Sequence, residues 1–446
     1  MANEQNITSV YFRSLSLRDI KCFKGDSLIK LSNRQGEPSL WTVLLGNNNT
    51  GKTTAIKIFA ALSYPEILAE YLSKYNLKKY SSLLRRNGNF NFNTQVFYNW
   101  LSNSQNRPMI GPNLFFPFFD YSLYIKRIKE RIDLNSFDLK KNIAVTDYIL
   151  NSLLNYQNNL TIYAYGIQRR ISDISLSEAS HVHPTANLFE SAELLNVEEW
   201  ILQTDYATKI GNEINRKKAK TQFARIKHLI VDSQILPDIK NIRINSSEDL
   251  QSYVEVNVSQ SWVKLKDLGY GYQATMAWVT DLAKRMFDRY PDLENPLHGP
   301  AIVLVDEIDL HLHPEWQRKI IKYLSDLFPN TQFIVTAHSP LIVQSAENVN
   351  LIMLEKDDET GSINIRQQFG SFQGWTVEEI LRELMDMGEK TRSDRYLELM
   401  RQFEDGLLAE DYNIVKTAYD ELDKILSPSS HQRKVLQIQM SSLIPV

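Results

Sequence analysis

The sequence has a single cysteine, Cys22, among its 446 residues. One thiol excludes an internal disulfide framework and a cysteine zinc site, and it is typical of a protein in a reducing compartment. The opening residues "MANEQNITSVYF" lack a basic start followed by an apolar core, and no apolar run approaches the roughly 20 residues of a membrane span. We therefore expect a cytoplasmic protein with no membrane contact.

A large excess of charge is also missing, because the formal net charge at pH 7 is −3. The whole-molecule charge gives no reason to expect nucleic acid as a partner, so such a contact would need a local basic patch. Hydrophobic residues make up 43% and charged residues 23% of the chain, as in ordinary folded proteins. The length is enough for one large domain or two to three smaller ones.

The first part of the chain predicts strands, a glycine-containing loop and a helix. "YFRSLSL" and "SLIKL" alternate apolar and polar residues, whereas "LWTVLL" is apolar enough for a fully buried strand. "GNNNTGKTT" follows directly, and the apolar spacing of "AIKIFAALSY" then suits a helix. The loop matches G-x-x-x-x-G-K-[ST], which binds phosphate when it lies between a strand and a helix.

This loop predicts a site for ATP and Mg²⁺. Gly46 and Gly51 would let the backbone approach the phosphates, Lys52 would bridge the β- and γ-phosphates, and the Thr53 hydroxyl would ligate Mg²⁺. The predicted nucleotide-binding residues of the loop are Gly46, Asn47, Asn48, Asn49, Thr50, Gly51, Lys52, Thr53 and Thr54. The alternative is a glycine-rich surface turn.

Four carboxylates and two histidines occur in "VDEIDLHLHPEW", directly after the apolar run "AIVL". Asp306 should lie at the carboxyl end of a buried strand, where ligands bind in α/β sheets, and should hold Mg²⁺ through water. Glu307 is then placed to orient and deprotonate the attacking water. The alternative is a side-chain metal cage of Asp309, His311 and His313.

If the segment belongs to a nucleotide site, its later residues have other roles. Asp309 would reach a partner subunit and contribute to nucleotide binding there, and the two histidines would lock the loop ahead of Pro314 by hydrogen bonds. The amphipathic stretch "EWQRKIIKYLSDLF" lies between the runs "AIVLV" and "QFIVTA". Strand, helix and strand in this order predict a right-handed parallel crossover.

A third element is "FIVTAHSP", an apolar strand that ends just before His338. At a strand end beside the phosphate loop, a histidine can contact the γ-phosphate or the lytic water. We therefore predict Glu307 and His338 as catalytic residues, and Thr53 and Asp306 as metal ligands.

The rest of the chain suggests additions to one ATPase domain. Residues from about 64 to 160 are irregular and suggest an inserted region, and helical stretches at 187–204 and 208–232 suggest a lobe from about 185 to 240. The strand-like "SYVEVNV" and "SWVKL" follow. We expect the ATPase domain over 1–375 and a helical appendage over 376–446, where Thr376 and Glu379 have capping-box spacing.

A glycine-containing turn, "LGYGYQ", opens an amphipathic helix upstream of Asp306. The order of the phosphate loop, "LGYGYQ", "VDEIDLHLHP" and "TAHSP" resembles the ABC-type ATPase head of RecF, SMC and OLD proteins. The resemblance implies an α/β fold with a mixed sheet, helical insertions, and ATP and Mg²⁺ as ligands. It also implies a homodimer or higher homo-oligomer, in which Gly269 and Gly271 line the ATP of the partner. Gly269 departs from the family, which usually has serine there.

The family also has a glutamine loop that senses Mg²⁺. The best candidate is Gln168 in "YAYGIQRR", which follows a buried strand. OLD nucleases carry a further Toprim domain with a glutamate and a D-x-D pair, and no such pair follows His338 at a strand end. The resemblance therefore implies an ATPase without a built-in nuclease.

Three segments are similar to a narrower group, the PtuA ATPases of Septu and of retron-associated Septu modules. They are "DLGYGYQATMAWVTDL", "VDEIDLHLHPEWQ" and "GWTVEEILRELM". This similarity implies a regulatory ATPase of anti-phage defence that self-associates and controls an HNH-type nuclease acting in trans.

Two other functions remain open from the sequence. A RecF-like DNA-repair ATPase would bind DNA directly, and the basic clusters "KRIKER" and "RKKAK" could meet its phosphates, although a solvated helix face also explains them. A nucleotide-gated scaffold would bind ATP without turnover, since Gly269 provides no hydroxyl group.

Overall fold

The protein is described by a computed structural model that divides the chain into two compact units, Met1–Trp375 and Thr376–Val446. Most of the region from 64 to 160, which the sequence predicts to be an insertion, lies outside the described residues. The described residues are 10–20, 22–61, 109–116, 119–128, 131–136, 161–171, 175–176, 182–190, 192–357, 359–385, 387 and 391–443.

The strands of the described residues all belong to the first unit. In chain order they are β1 (Tyr11–Ile20), β2 (Phe23–Lys30), β3 (Trp41–Leu45), β4 (Met109–Phe116), β5 (Phe119–Ile128), β6 (Arg131–Ser136), β7 (Ile162–Tyr165), β8 (Ile239–Ser246), β9 (Ser252–Val258), β10 (Ser261–Lys264), β11 (Ala301–Val305), β12 (Thr331–Thr336), β13 (Val349–Lys356) and β14 (Ile363–Gly370).

The α-helices of the described residues occur in both units. Those of the first unit are α1 (Lys52–Ala61), α2 (Ala186–Glu190), α3 (Val197–Lys209), α4 (Glu213–Lys227), α5 (Tyr270–Arg289), α6 (Pro314–Gln317), α7 (Ile320–Leu327) and α8 (Pro340–Gln344). Those of the second unit are α9 (Val377–Glu383), α10 (Asp394–Leu408), α11 (Tyr412–Ile425) and α12 (His431–Ser441).

A six-stranded mixed sheet with the order β14-β13-β3-β12-β11-β7 forms the centre of the first unit. Five of its strands run parallel, and β14 pairs with β13 in the antiparallel direction at one edge. Every residue of β3, β11 and β12 is buried, as in parallel sheets that are covered on both faces. The predicted α/β fold with a mixed sheet is confirmed, and the carboxyl ends of the five parallel strands lie at one edge.

The helix α1, which follows the phosphate loop, packs against a second sheet. An antiparallel sheet, β2-β1-β4-β5-β6, contributes Phe12 and Phe23 to a core that also contains Phe59 of α1 and Leu304 of β11. The rings of Phe12 and Phe59 lie 4.9 Å apart. A separate three-stranded sheet has the order β10-β9-β8, and its strand β8 was not predicted from the sequence.

The helices of the predicted lobe begin and end at residues other than those that the sequence predicts. The helix predicted at 187–204 is two helices, α2 and α3, because Asn196 starts α3 by accepting a hydrogen bond from Glu199 N–H. The helix predicted at 208–232 starts only at Glu213, after Gly211 with φ +84°, and ends in a π-helical turn at His228–Asp232. The helix boundaries therefore follow the capping Asn residues and Gly211, and not the spacing of the apolar residues.

The predicted parallel pairing of β11 and β12 is confirmed, and helices lie between these strands in the chain. The predicted helix is interrupted, with α6 ending at Gln317 and α7 beginning at Ile320. The capping box at Thr376 and Glu379 is present at the start of α9. In the second unit α10 and α11 pack closely at Gly406, where a Cβ atom would lie 2.9 Å from the side chains of Ile414 and Val415.

No helix in the described part of the chain has the length and apolar character that crossing a membrane would require.

Candidate nucleotide-binding site

The loop between β3 and α1 has a shape that only glycine permits at two positions. Gly46 has φ +143° and Gly51 has φ +95°. A Cβ atom would lie 2.4 Å from the Leu354 carbonyl oxygen at Gly46 and 2.6 Å from Cys22 Sγ at Gly51. The loop curls around Lys52, whose Nζ donates hydrogen bonds to the carbonyl oxygens of Gly46 (2.7 Å) and Asn47 (2.9 Å). Such a curled loop ahead of a helix N-terminus is the backbone form that binds phosphate.

The ammonium group of Lys52 lies in a mostly buried, acidic environment. Burial lowers its pKa, while the negative charges of Asp306, Glu307 and Asp309 act in the opposite direction. The lysine is therefore close to the carboxylates that follow β11, although more than 250 residues separate them in the sequence. A polyanionic ligand at the loop would relieve the cost of burying this cation.

Thr53 and Asp306, the two predicted metal ligands, are in direct contact. Thr53 Oγ1 donates to Asp306 Oδ2 at 2.9 Å, and Thr336 Oγ1 donates to Asp306 Oδ1 at 2.7 Å. A hydroxyl and a carboxylate side by side are the hard oxygen donors that Mg²⁺ accepts while it keeps most of its water. The residues present thus fit a Mg²⁺ ion held by Thr53 and Asp306.

Glu307 and His338, the two predicted catalytic residues, face each other. Glu307 Oε1 lies 4.0 Å from His338 Nε2, and the two side chains are 34% and 39% exposed. Glu307 has φ +50°, a left-handed conformation that costs about 1–3 kcal/mol for a residue with a side chain. Its N–H donates to Thr336 Oγ1 at 2.6 Å, which helps to hold that conformation. A carboxylate and an imidazole that remain accessible can together bind and orient a water molecule.

Asp309 has a contact within its own chain that the sequence did not predict. Its Oδ2 accepts hydrogen bonds from the N–H groups of His338 (2.9 Å) and Ser339 (2.6 Å). The carboxylate therefore holds the turn that carries the His338 imidazole. Asp309 Oδ1 is buried and has no hydrogen-bond partner among the residues that the structure describes. Its predicted contact with the nucleotide of a partner subunit stays a prediction.

The metal-cage alternative does not agree with the side-chain directions. His311 packs edge-on against Tyr270 at 4.5 Å, whereas His313 Nδ1 accepts from Glu315 N–H and caps α6. Among the residues that the structure describes, no group of three or more His, Cys, Asp and Glu side chains could hold a metal ion. His313 makes a hydrogen bond within the loop, as predicted. His311 contacts the Tyr270 ring instead of making the predicted hydrogen bond.

The turn "LGYGYQ" places Gly269 at the N-cap of α5. A Cβ atom at Gly271 would lie 2.4 Å from the His311 carbonyl oxygen, so the turn packs on the loop that follows the acidic pair. At Gly269 the nearest atom, from Tyr272, would be 3.9 Å away, which leaves room for a side chain. The roles of Gly269 and Gly271 toward a partner's ATP stay predictions.

Gln168 is exposed and lies in the loop after β7, the strand next to β11. Its carbonyl oxygen accepts a hydrogen bond from Asn187 Nδ2 at 2.9 Å. The loop reaches the acidic pair through the following residue, Arg169, which donates to the Asp306 and Glu307 carbonyl oxygens at 3.0 and 2.5 Å. The role of the Gln168 side chain toward Mg²⁺ stays a prediction.

Sequence reasoning gave no role to Arg169 or Thr336, although both contact the acidic pair. Thr336 is the last residue of the buried strand that precedes His338, and a polar residue at that place was a usable signal. Arg169 lies in the loop after the buried strand β7, but nothing in its sequence context showed that its guanidinium is buried. The structure thus brings Lys52, Thr53 and the acidic pair together with His338.

A phosphate loop joined to a parallel sheet, with a threonine–aspartate pair and an accessible glutamate beside it, defines the P-loop ATPase class. The profile of the AAA ATPase domain family matches residues 120–343, which is half of the chain. The chain belongs to this family. The matched span contains the acidic pair and His338, and the phosphate loop precedes it.

The chain is also similar to a Septu protein and to a retron ATPase. It is 31% identical over 262 residues to the Septu protein PtuA of Bacillus thuringiensis, covering 56% of this chain and 62% of that protein. It is 24% identical over 400 residues to the Retron Vc95 probable ATPase of Vibrio cholerae serotype O1 biovar El Tor, covering 79% of this chain and 75% of that protein. The chain thus spans less than two thirds of the length of this PtuA relative. The resemblance to Septu and retron ATPases that the motifs indicated is confirmed.

Solved structures similar to this chain include SMC heads. An SMC head bound to the C-winged helix domain of ScpA aligns over 80% of this chain and 98% of that chain, with 16% identity and a TM-score of 0.43. The SMC head with an extended coiled coil bound to the C-terminal domain of ScpA, from Pyrococcus furiosus, covers 84% of this chain and 99% of that chain, with 14% identity and a TM-score of 0.42.

Proposed function

We propose that this chain binds ATP with Mg²⁺, hydrolyses the ATP, and serves as a regulatory subunit of a bacterial anti-phage defence system. In this role it self-associates and controls a nuclease effector that acts in trans. The observation that carries the proposal is the convergence of three distant segments, which bring Lys52, Thr53, Asp306, Glu307 and His338 to one edge of the central sheet.

We propose one chemical task for each residue. Lys52 and the loop N–H groups would bind the phosphates, and Thr53 and Asp306 would hold Mg²⁺, which would neutralise charge on the phosphate oxygens. Glu307 orients and deprotonates the attacking water, and His338 contacts that water or the γ-phosphate. The partial exposure of Glu307 and His338 leaves both side chains accessible to a ligand.

The defence role and the partners are supported by the similarity to PtuA and to retron ATPases. Because the chain spans less than two thirds of that PtuA relative, we carry over the role and not the relative's whole activity. An HNH-type nuclease is the effector that the similarity implies. Gly269, Gly271 and Asp309 would contribute to the nucleotide site of a second copy, and Gln168 would respond to Mg²⁺.

Two specific observations favour other functions. Gly269 offers no hydroxyl group to a γ-phosphate, which favours a scaffold that binds ATP without turnover. The helix α4 exposes the basic residues Arg216, Lys217, Lys218 and Lys220, which favours direct contact with DNA, as in a RecF-like repair ATPase.

The first experiment compares ATP binding and phosphate release for the wild type, Lys52→Ala and Glu307→Gln. We expect Lys52→Ala to remove most ATP affinity, and Glu307→Gln to keep the affinity while hydrolysis slows by about 100-fold or more. ATP binding without phosphate release by the wild type would favour the scaffold. Equal loss of binding in both variants would contradict the separate roles of Lys52 and Glu307.

The second experiment tests the partner. Co-expression with an HNH protein encoded by a neighbouring reading frame should yield a complex that co-purifies with the full chain. Salt-dependent DNA binding by the chain alone, with no such complex, would favour the repair ATPase instead.

A further inference from the structure

Arg169 is a charged residue that is almost completely enclosed, with only 3% of its surface exposed. Its Nη2 donates hydrogen bonds to the carbonyl oxygens of Asp306 (3.0 Å) and Glu307 (2.5 Å). Burial lowers the pKa of Arg169 to about 10, although the negative charges of Asp306 and Asp309 act against this shift. The guanidinium therefore stays charged at neutral pH, and it is directed at two backbone oxygens.

The two carbonyl groups bound by Arg169 belong to the peptide units on either side of the Glu307 Cα atom. Glu307 has φ +50°, in the left-handed region that is unfavourable for a residue with a Cβ atom. Such a conformation persists only where the surroundings hold it. Thr336 binds the Glu307 N–H, and Arg169 binds the carbonyl groups before and after the residue. Both peptide planes are thus fixed.

The direction of the Glu307 side chain depends on these planes, because φ sets where the Cβ atom points relative to the backbone. With φ at +50°, the Glu307 carboxylate lies 4.0 Å from His338 Nε2. A backbone that returned to a negative φ would turn the carboxylate away from His338. The two residues would then no longer bind the same water molecule.

We infer that Arg169 is a positioning residue for ATP hydrolysis, because its two hydrogen bonds hold the Glu307 carboxylate opposite His338. The inference rests on the hydrolysis proposed above. Arg169 acts through Glu307 and not through the nucleotide, so its loss should slow hydrolysis and leave ATP binding nearly unchanged. A residue that only stabilises the fold would not separate these two quantities.

The test uses Arg169→Met, which removes the donors and keeps the length of the side chain. Arg170→Met is the matched control, since Arg170 is the adjacent residue and is exposed. We expect Arg169→Met to lower kcat by about 100-fold, as for a catalytic group displaced by about 1 Å. The Kd for ATP should change by less than about threefold, and Arg170→Met should resemble the wild type in both measurements.

A double-mutant cycle then identifies the residue through which Arg169 acts. In the Glu307→Gln background, adding Arg169→Met should change the single-turnover rate by less than about twofold, because the group that Arg169 positions is already lost. Arg169→Lys keeps a charge and one donor group, so it should fall between the wild type and Arg169→Met. It also supplies the kcat and Kd comparison if Arg169→Met does not fold.

The outcomes separate this inference from the proposed function. If Arg169→Met slows hydrolysis equally in the wild-type and Glu307→Gln backgrounds, the positioning role is overturned and the ATPase function remains. The same holds if Arg169→Met lowers the ATP affinity by as large a factor as it lowers kcat. If Arg169→Met and Arg169→Lys both hydrolyse ATP at the wild-type rate, the positioning role is also overturned. A wild type that releases no phosphate would overturn both.

Discussion

Tyr165 donates a hydrogen bond from its hydroxyl group to Asp281 Oδ2 at 2.9 Å, and this bond joins β7 to α5 in the interior of the first unit. Arg285 Nε binds the same oxygen at 2.8 Å, and Leu195 N–H binds Oδ1 at 3.2 Å. The backbone oxygen of Tyr165 also accepts the N–H of Asp306 at 2.9 Å. One tyrosine therefore connects α5, the helix that begins in the turn "LGYGYQ", with the acidic pair.

Replacement of Tyr165 by phenylalanine should destabilise the fold measurably. A hydrogen bond to a carboxylate contributes about 1.5–3 kcal/mol, and its loss also leaves a buried acceptor with one partner fewer. Equilibrium denaturation measures this loss, and an unfolding free energy of Tyr165→Phe within about 0.5 kcal/mol of the wild type would contradict a stabilising bond to Asp281.

The sequence predicted the site residues whose roles follow from a local motif. The loop around Lys52 and the acidic pair after "AIVLV" were placed correctly at strand ends, because periodicity and motif context determine that placement. The partners that hold these residues were not predicted. Arg169, Thr336 and Asp309 act through hydrogen bonds to segments distant in the chain, and such contacts depend on tertiary packing. For the same reason, the sequence left open a metal cage that the side-chain directions exclude.

Thr53 should control the Mg²⁺ dependence of nucleotide binding. Its hydroxyl lies 2.9 Å from Asp306 Oδ2, so Thr53→Ala removes one of two neighbouring oxygen donors while Asp306 keeps its contact with Thr336. We expect the Mg²⁺ concentration for half-maximal ATP binding to rise by at least about 10-fold. Thr53→Ser retains the hydroxyl group and should stay near the wild type. The assignment of Thr53 as a ligand fails if Ala and Ser give the same Mg²⁺ titration.

His183 should make the stability of the fold depend on pH. Burial, and then the positive charge of Arg285, lower its pKa from the usual 6.5 to about 3. In the unfolded chain the His183 imidazole therefore becomes protonated below about pH 6.5. In the folded chain it becomes protonated only below about pH 3. Stability should fall as the pH is lowered through this window, by at most about 1.4 kcal/mol per pH unit. His183→Gln should remove this part of the slope in urea denaturation measured from pH 6.5 to 4. An unchanged slope would contradict the lowered pKa of His183.

The two glycines of the turn "LGYGYQ", Gly269 and Gly271, should respond differently to substitution. A side chain at Gly271 meets the His311 carbonyl oxygen at 2.4 Å, so Gly271→Ala forces the turn and the His311 loop apart and should cost about 1–3 kcal/mol of stability. Gly269 has open space, since its nearest neighbour would be 3.9 Å away, and Gly269→Ser should leave the unfolding free energy within about 0.5 kcal/mol of the wild type.

Gly269→Ser also adds the hydroxyl group that is usual at this position in the ABC-type ATPase heads that the sequence resembles. If the turn closes over the ATP of a second copy, the added donor should strengthen ATP-dependent self-association by about 1 kcal/mol, or roughly fivefold in the dimer dissociation constant. Sedimentation velocity with and without ATP, in the Glu307→Gln background to prevent turnover, measures this change. If Gly269→Ser is as stable as the wild type and ATP still does not shift its oligomeric state more strongly, the turn does not contact a partner's nucleotide.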